Sequence, residues 1–182
     1  MLRDHLVWRQ ANLPIHRNSI LDELRSGKCY VRKKDVEGHP VIWYNVRLQT
    51  PWDRDVDKTT SMVIYRVEEA IHSMSDGVEK ITLIFDRTGF ERKNADLALW
   101  KHCASVLQAN YPERCAKIVI YPTGKFFRTM WGVIKWFLNP VTRGKVHMPA
   151  AASELTSLIP AQDLPLHLGG MDTYEFDPNH DA

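Results

Sequence analysis

The sequence predicts a single α/β domain built on a mainly parallel β-sheet. Two short, almost wholly apolar runs, at 81–85 and 117–121, have the pattern of strands buried on both faces. Stretches with helical apolar spacing stand before, between and after them. This alternation implies βαβ units with right-handed crossovers. A length of 182 residues suits one domain with short arms.

In chain order, residues 19–26 read as a short helix ended by Gly27. Residues 29–33 and 41–46 are extended segments joined at Asp35-Val36-Glu37-Gly38, residue types that suit a hairpin turn. Residues 51–58 are polar and read as a loop. Val63, Val67, Ile71 and Met74 then make one helical stripe over 60–75. After the strand at 81–85, Leu99, Cys103, Val106 and Leu107 repeat helical spacing over 94–110, with Asn94 or Asp96 as N-cap. The strand at 117–121 precedes a helix over 125–138, stopped at Asn139-Pro140. Residues 144–148 read as a fourth strand and 151–158 as a last short helix. Residues 172–182 are acidic and expected to be loose.

Composition excludes several classes. With 44% hydrophobic and 25% charged residues there is enough apolar material to offset chain entropy. The balance of 24 basic against 22 acidic residues, a net charge of +2, argues against a nucleic-acid partner held by the whole surface. Cys29, Cys103 and Cys115 are odd in number and lack C-x-x-C spacing, so a reducing compartment is expected rather than a disulfide framework or a zinc knuckle. The first residues lack the apolar core of a signal peptide. The longest run without Asp, Glu, Lys or Arg is 102–112, short of the ~20 apolar residues of a membrane-spanning helix.

Charge is unevenly placed. Residues 111–149 carry seven basic side chains and one acid, Glu113, whereas 150–182 carry six acids and no Lys or Arg. The basic segment also holds Phe126, Phe127, Trp131, Trp136 and Phe137. Such a mixture suits a lipid surface, single-stranded nucleic acid, or a core helix with solvated lysines. Composition leaves all three open.

Enzyme signatures are missing. No G-x-S-x-G, Walker A or G-x-G-x-x-G string occurs, and no Cys stands six residues before an Arg. The histidines never pair at i,i+4. Asp86, at a strand end, is the one carboxylate placed as in an α/β enzyme, and a turn role before Gly89 suits it better. No enzymatic activity is expected.

The helix over 125–138 is unusually apolar. Phe126, Met130, Val133 and Phe137 follow i, i+4, i+7, i+11, and Phe127, Trp131, Ile134 and Leu138 follow one position on. The apolar face covers about half the circumference, wider than the ~100° of an ordinary surface helix. Such a helix is either fully packed or covers a hydrophobic cavity and meets lipid.

Tyr111-Pro112-Glu113-Arg114, followed by a strand, this aromatic helix and the string FLNPVTRGK at 137–145, resembles the CRAL-TRIO lipid-binding domain family, in particular its phosphatidylinositol/phosphatidylcholine transfer branch. Gly38-His39-Pro40-Val41, Ile84-Phe85-Asp86-Arg87-Thr88-Gly89 and Leu164-Pro165 through Gly169-Gly170 extend the likeness, in order, over residues 28–170. The resemblance implies a mixed, mainly parallel sheet with flanking helices, enclosing an apolar pocket that takes one phospholipid or other lipophile. The helix over 125–138 matches the gate, which opens at a membrane, so Phe126, Phe127, Met130, Trp131, Ile134 and Phe137 are implied to line gate and pocket. Glu113, Thr142 and Lys145 match the headgroup contacts of phosphatidylinositol-binding members. The chemistry is apt, since a carboxylate accepts from inositol hydroxyls while Lys and Thr donate to phosphate. The competing reading is a screened surface ion pair between Glu113 and Lys145.

Three departures qualify the likeness. Choline-lipid members carry hydroxyl residues where this chain has Ile81 and Leu83, and a Tyr in place of Ile42, which argues against phosphatidylcholine exchange. Pro122-Thr123-Gly124 replaces the usual N-A-P before the gate. Residues 1–27 correspond only to the end of a preceding three-helix module. The expected organisation is therefore a helical remnant at 1–27, the lipid-binding domain at 28–170 and an acidic tail at 171–182. The expected protein is cytoplasmic and peripheral to membranes of anionic lipid, takes phosphatidylinositol or a phosphoinositide, and needs no metal, cofactor or nucleic acid. The alternative is an interaction module of the same fold that binds a small GTPase or partner domain.

Overall fold

A computed structural model describes residues 2–181, without the side chains of Leu2 and Phe126; Met1 and Ala182, in the two expected terminal segments, lie outside the described residues. Five strands form one sheet: β1 (Cys29–Lys34), β2 (Pro40–Asn45), β3 (Ile81–Asp86), β4 (Cys115–Tyr121) and β5 (Val146–His147), in that spatial order. β1 runs antiparallel to β2 and every later pairing is parallel. The antiparallel pair is the expected hairpin. Gly38 takes φ +85 there and donates its N–H to the Asp35 carbonyl at 2.9 Å. The helices are α1 (Leu2–Asn12), α2 (Leu21–Arg25), α3 (Val56–His72), α4 (Leu97–Asn110), α5 (Lys125–Ile134) and α6 (Pro140–Gly144).

Register explains why the central strands read as apolar throughout. Ile42 is paired with Leu83 and Leu83 with Ile118, so these three side chains share one face. The opposite face presents Val41, Trp43, Ile84 and Val119, which pack solidly against Leu155, Ile159, Leu164 and Leu168 of the C-terminal segment. The first face meets α3, α4 and α5, and there the packing is incomplete.

Several elements differ from expectation. The loop expected at 51–58 ends early, because the Asp55 carboxylate accepts the N–H groups of Asp57 and Lys58 and starts α3 at Val56. The long helix over 125–138 is α-helical only to Ile134 and then tightens to a 3-10 turn at Lys135–Phe137. Asp96 is the N-cap of α4, while Asn94 donates to the carbonyls of Arg47 and Gln49. The fourth expected strand shrinks to Val146–His147, and the last helix is a 3-10 segment at Ala152–Ser157.

The acidic end is docked rather than loose. Tyr174 and Phe176 pack their rings 5.7 Å from Tyr30, and Asp172 pairs with Arg32 at 3.2 Å. Arg66 donates to the Asp181 carbonyl at 2.9 Å. Acidity suggested solvation, but the two aromatics and the basic Arg32 and Arg66 override it.

Candidate functional site

Between the sheet and helices α3, α4 and α5 lies a cavity of about 430 Å3, within the range of small-ligand sites. Its floor is Ile42, Leu83 and Ile118, three residues in register across the sheet. One wall is an edge-to-face cluster in which Trp100 sits 4.8 Å from Tyr44 and 4.9 Å from Phe85. The Tyr44 hydroxyl is turned out of this apolar space and donates to Gln49 Oε1 at 2.9 Å.

Helix α5 forms the cover. Phe127, Met130, Trp131 and Ile134, with Phe137 from the following turn, line the cavity. These are the expected gate residues; the Phe126 side chain lies outside the described residues. The wide apolar face divides in two. Phe127 is 6% exposed, whereas Val133 and Trp136 point to water at 52% and 74%. Trp136 is flanked by the cations of Lys135 and Arg143, 6.0 and 5.7 Å from its ring.

The cover is fastened at both ends. At its start the Arg87 guanidinium lies 4.3 Å from the Phe127 ring. At its end Gln108 donates to the Phe137 carbonyl at 3.0 Å and accepts the Asn139 N–H at 2.7 Å.

Glu113, Thr142 and Lys145 all border the cavity. Asn139 caps α6 by accepting the Thr142 N–H at 2.8 Å, and Pro140 supplies the preset φ of the first turn. Lys145 closes that helix, its N–H reaching the Thr142 carbonyl, so both residues emerge from one short turn. Glu113 sits at φ +61 in the turn between α4 and β4. Lys145 Nζ donates to the Cys115 carbonyl at 2.7 Å and stands 3.6 Å from Glu113 Oε2, whose side chain is 77% exposed. The ion pair of the competing reading is thus present, at the edge of the cavity.

The CRAL/TRIO domain family model matches residues 24–170. The chain belongs to the CRAL/TRIO family. It is 32% identical over 161 residues to "Phosphatidylinositol transfer protein CSR1" of Eremothecium gossypii, covering 88% of this chain and 37% of that protein. It is 28% identical to "SEC14 cytosolic factor" of Yarrowia lipolytica, covering 79% and 32%. It is 25% identical to "Tyrosine-protein phosphatase non-receptor type 9" of Homo sapiens, covering 88% and 27%. The chain therefore spans about a third of the length of these curated relatives. The crystal structure of Sfh5 superposes with a TM-score of 0.74 at 19% identity, over 100% of this chain and 67% of that one, which shows the fold.

Within this CRAL/TRIO domain, sequence reading named Leu99, Cys103, Val106 and Leu107 of α4 but missed Trp100, Ala104 and Gln108, which line the cavity beside Cys103 and Leu107. Their i, i+4, i+8 spacing was the available signal. Arg87 was also passed over, because a cation beside a strand end usually reaches solvent. Asp86 ties the end of β3 to the closing segment, where its carboxylate lies 2.7 Å from His167 Nε2. Burial alone would raise its carboxyl, but bonds from His167 and Thr88 hold it below the ordinary value. Burial pushes the Cys29 thiol up to about 12 and Cys115 to about 11, which leaves little thiolate at either at neutral pH.

Proposed function

We propose that this domain binds one phospholipid, phosphatidylinositol or a phosphoinositide, in the cavity under α5 and exchanges it at an anionic membrane surface. The observation that carries this reading is the cavity itself: a mainly apolar space with Glu113, Thr142 and Lys145 together at one border and Arg87 also in its lining. Acyl chains satisfy the floor and cover, while an inositol phosphate offers donors to Glu113 and acceptors to Thr142 and Lys145. The name of the CSR1 relative, a phosphatidylinositol transfer protein, accords with that choice. Isoleucine and leucine at 42, 81 and 83 leave the floor without the hydroxyls of choline-lipid members.

Surface action follows from the outer side of α5. Val133 and Trp136 face outward beside Lys135 and Arg143, a pattern that suits the headgroup layer. Each basic charge near an anionic surface contributes about 1 kcal/mol. Contact with lipid gives those side chains an apolar partner and lets α5 swing from its two fastenings without flooding the pocket. The protein acts as a carrier and uses no metal or cofactor. Its likeness to part of a phosphatase brings no phosphatase chemistry, since no Cys here precedes an Arg by six residues.

The test is transfer of labelled phosphatidylinositol between donor and acceptor vesicles. Protein-dependent transfer that rises with anionic lipid in the acceptor is the expected result. Transfer at the protein-free rate with both vesicle types refutes the reading.

A further inference from the structure

The residue that follows β3, Arg87, is 7% exposed, yet among the described residues no carboxylate pairs with it. Its guanidinium lies 4.3 Å from both the Phe90 and Phe127 rings, and Nη1 donates to the Pro122 carbonyl at 2.7 Å. Burial pulls its pKa down to about 10, with no acid opposing the shift. A buried cation of this kind is costly unless an anion joins it.

Beside Arg87 an open recess lies between the turn after β3 and the start of α5. Its polar side chains are Arg87, Arg92 and Lys125, with no acid among its lining residues. Gly89 and Gly124 complete its rim, and a Cβ at Gly124 would meet nothing within 4 Å. Gly124 is also the N-cap of α5 and makes no side-chain cap, so the first-turn amides remain available to a ligand. The recess lies at the carboxyl ends of parallel strands β3 and β4, where open α/β sheets commonly bind ligands. Glu113 lies just before the other end of β4, whose seven residues span roughly 20 Å.

We infer that this recess is a second binding site, for a phosphate monoester, held by Arg87, Arg92, Lys125 and the first-turn amides of α5. The same group can come from a phosphorylated lipid headgroup or from a soluble phosphate compound. Arg87 supplies a planar fork already fixed between two rings, and Lys125 and Arg92 add positive charge at the rim.

The test uses the full chain and inorganic phosphate, followed by the amide resonances of Gly89, Gly124 and Lys125. Saturable shifts at these amides are expected. They should weaken about tenfold in the double variant Arg92→Gln/Lys125→Gln and stay unchanged in Lys145→Ala. Both substituted residues are exposed, and a thermal melt of the variant checks that it folds. Vesicles of phosphatidylcholine with and without phosphatidylinositol 4-phosphate separate the sources. Binding that needs the phosphorylated lipid and is lost in the double variant assigns the headgroup, whereas a response to inorganic phosphate alone assigns a soluble ligand; either supports the site. Shifts that are absent, or that survive the double variant, overturn it. Because Lys145→Ala spares the recess, failure here is distinct from failure of the cavity reading.

Discussion

Lys145 Nζ is held by the Cys115 carbonyl at 2.7 Å and only then faces Glu113 Oε2, at 3.6 Å. Its position is therefore set by the backbone of β4 rather than by the exposed carboxylate. Lys145→Ala should lower phosphatidylinositol transfer about tenfold or more while sparing neutral lipids. Glu113→Gln leaves the ammonium in place and should cost less. Equal losses for charged and neutral lipids in a vesicle assay would remove the headgroup assignment.

Ile134 projects from α5 into the cavity, so a larger side chain there has space to enter. Ile134→Trp should abolish lipid uptake while shifting stability by no more than about 1–3 kcal/mol. Transfer assays and thermal melts on the same preparation check this. Normal uptake by a well-folded variant would mean that lipid goes elsewhere.

The free thiols Cys29, Cys103 and Cys115 all border the cavity. A lipid in place should slow their reaction with a maleimide relative to delipidated protein. Because burial raises Cys115 to about 11, labelling should be slow at neutral pH and speed up as pH rises toward that value. Rapid labelling at neutral pH, indifferent to lipid, would contradict the placement.

Asp35 anchors the hairpin to the sheet, taking bonds from His39, Thr82 and Lys117 at 3.0, 2.7 and 3.0 Å. Burial alone would raise its carboxyl, but these bonds hold it down to about 2. A depressed carboxylate stabilises the fold above its unfolded value and loses that contribution as pH falls. Asp35→Asn should thus cost about 2–3 kcal/mol at neutral pH. Denaturant melts of the two proteins should converge between pH ~4 and ~2. A constant difference across that window would assign the stabilisation to shape and not to charge.

Much of the scaffold was legible because it rests on short-range patterns. The runs at 81–85 and 117–121, the turn before Pro40 and the stop at Asn139-Pro140 each report a local backbone requirement. Boundaries depended on caps, so Asp55 moved the start of α3 where counting apolar residues could not. The side chains of α5 that line the cavity were legible since an overly wide apolar face demands an explanation. Division of that face between cavity and water was not, because Val133 and Ile134 look alike until packing separates them. Arg87 and the docked Tyr174 and Phe176 depend on contacts far apart in sequence, which no window contains.

The most direct measurement is native mass spectrometry of the expressed protein, with extraction and identification of whatever it carries. The account predicts one inositol phospholipid per chain, or its stoichiometric uptake from vesicles by empty protein. A chain that leaves the cell empty and takes up no lipid from anionic vesicles would contradict it.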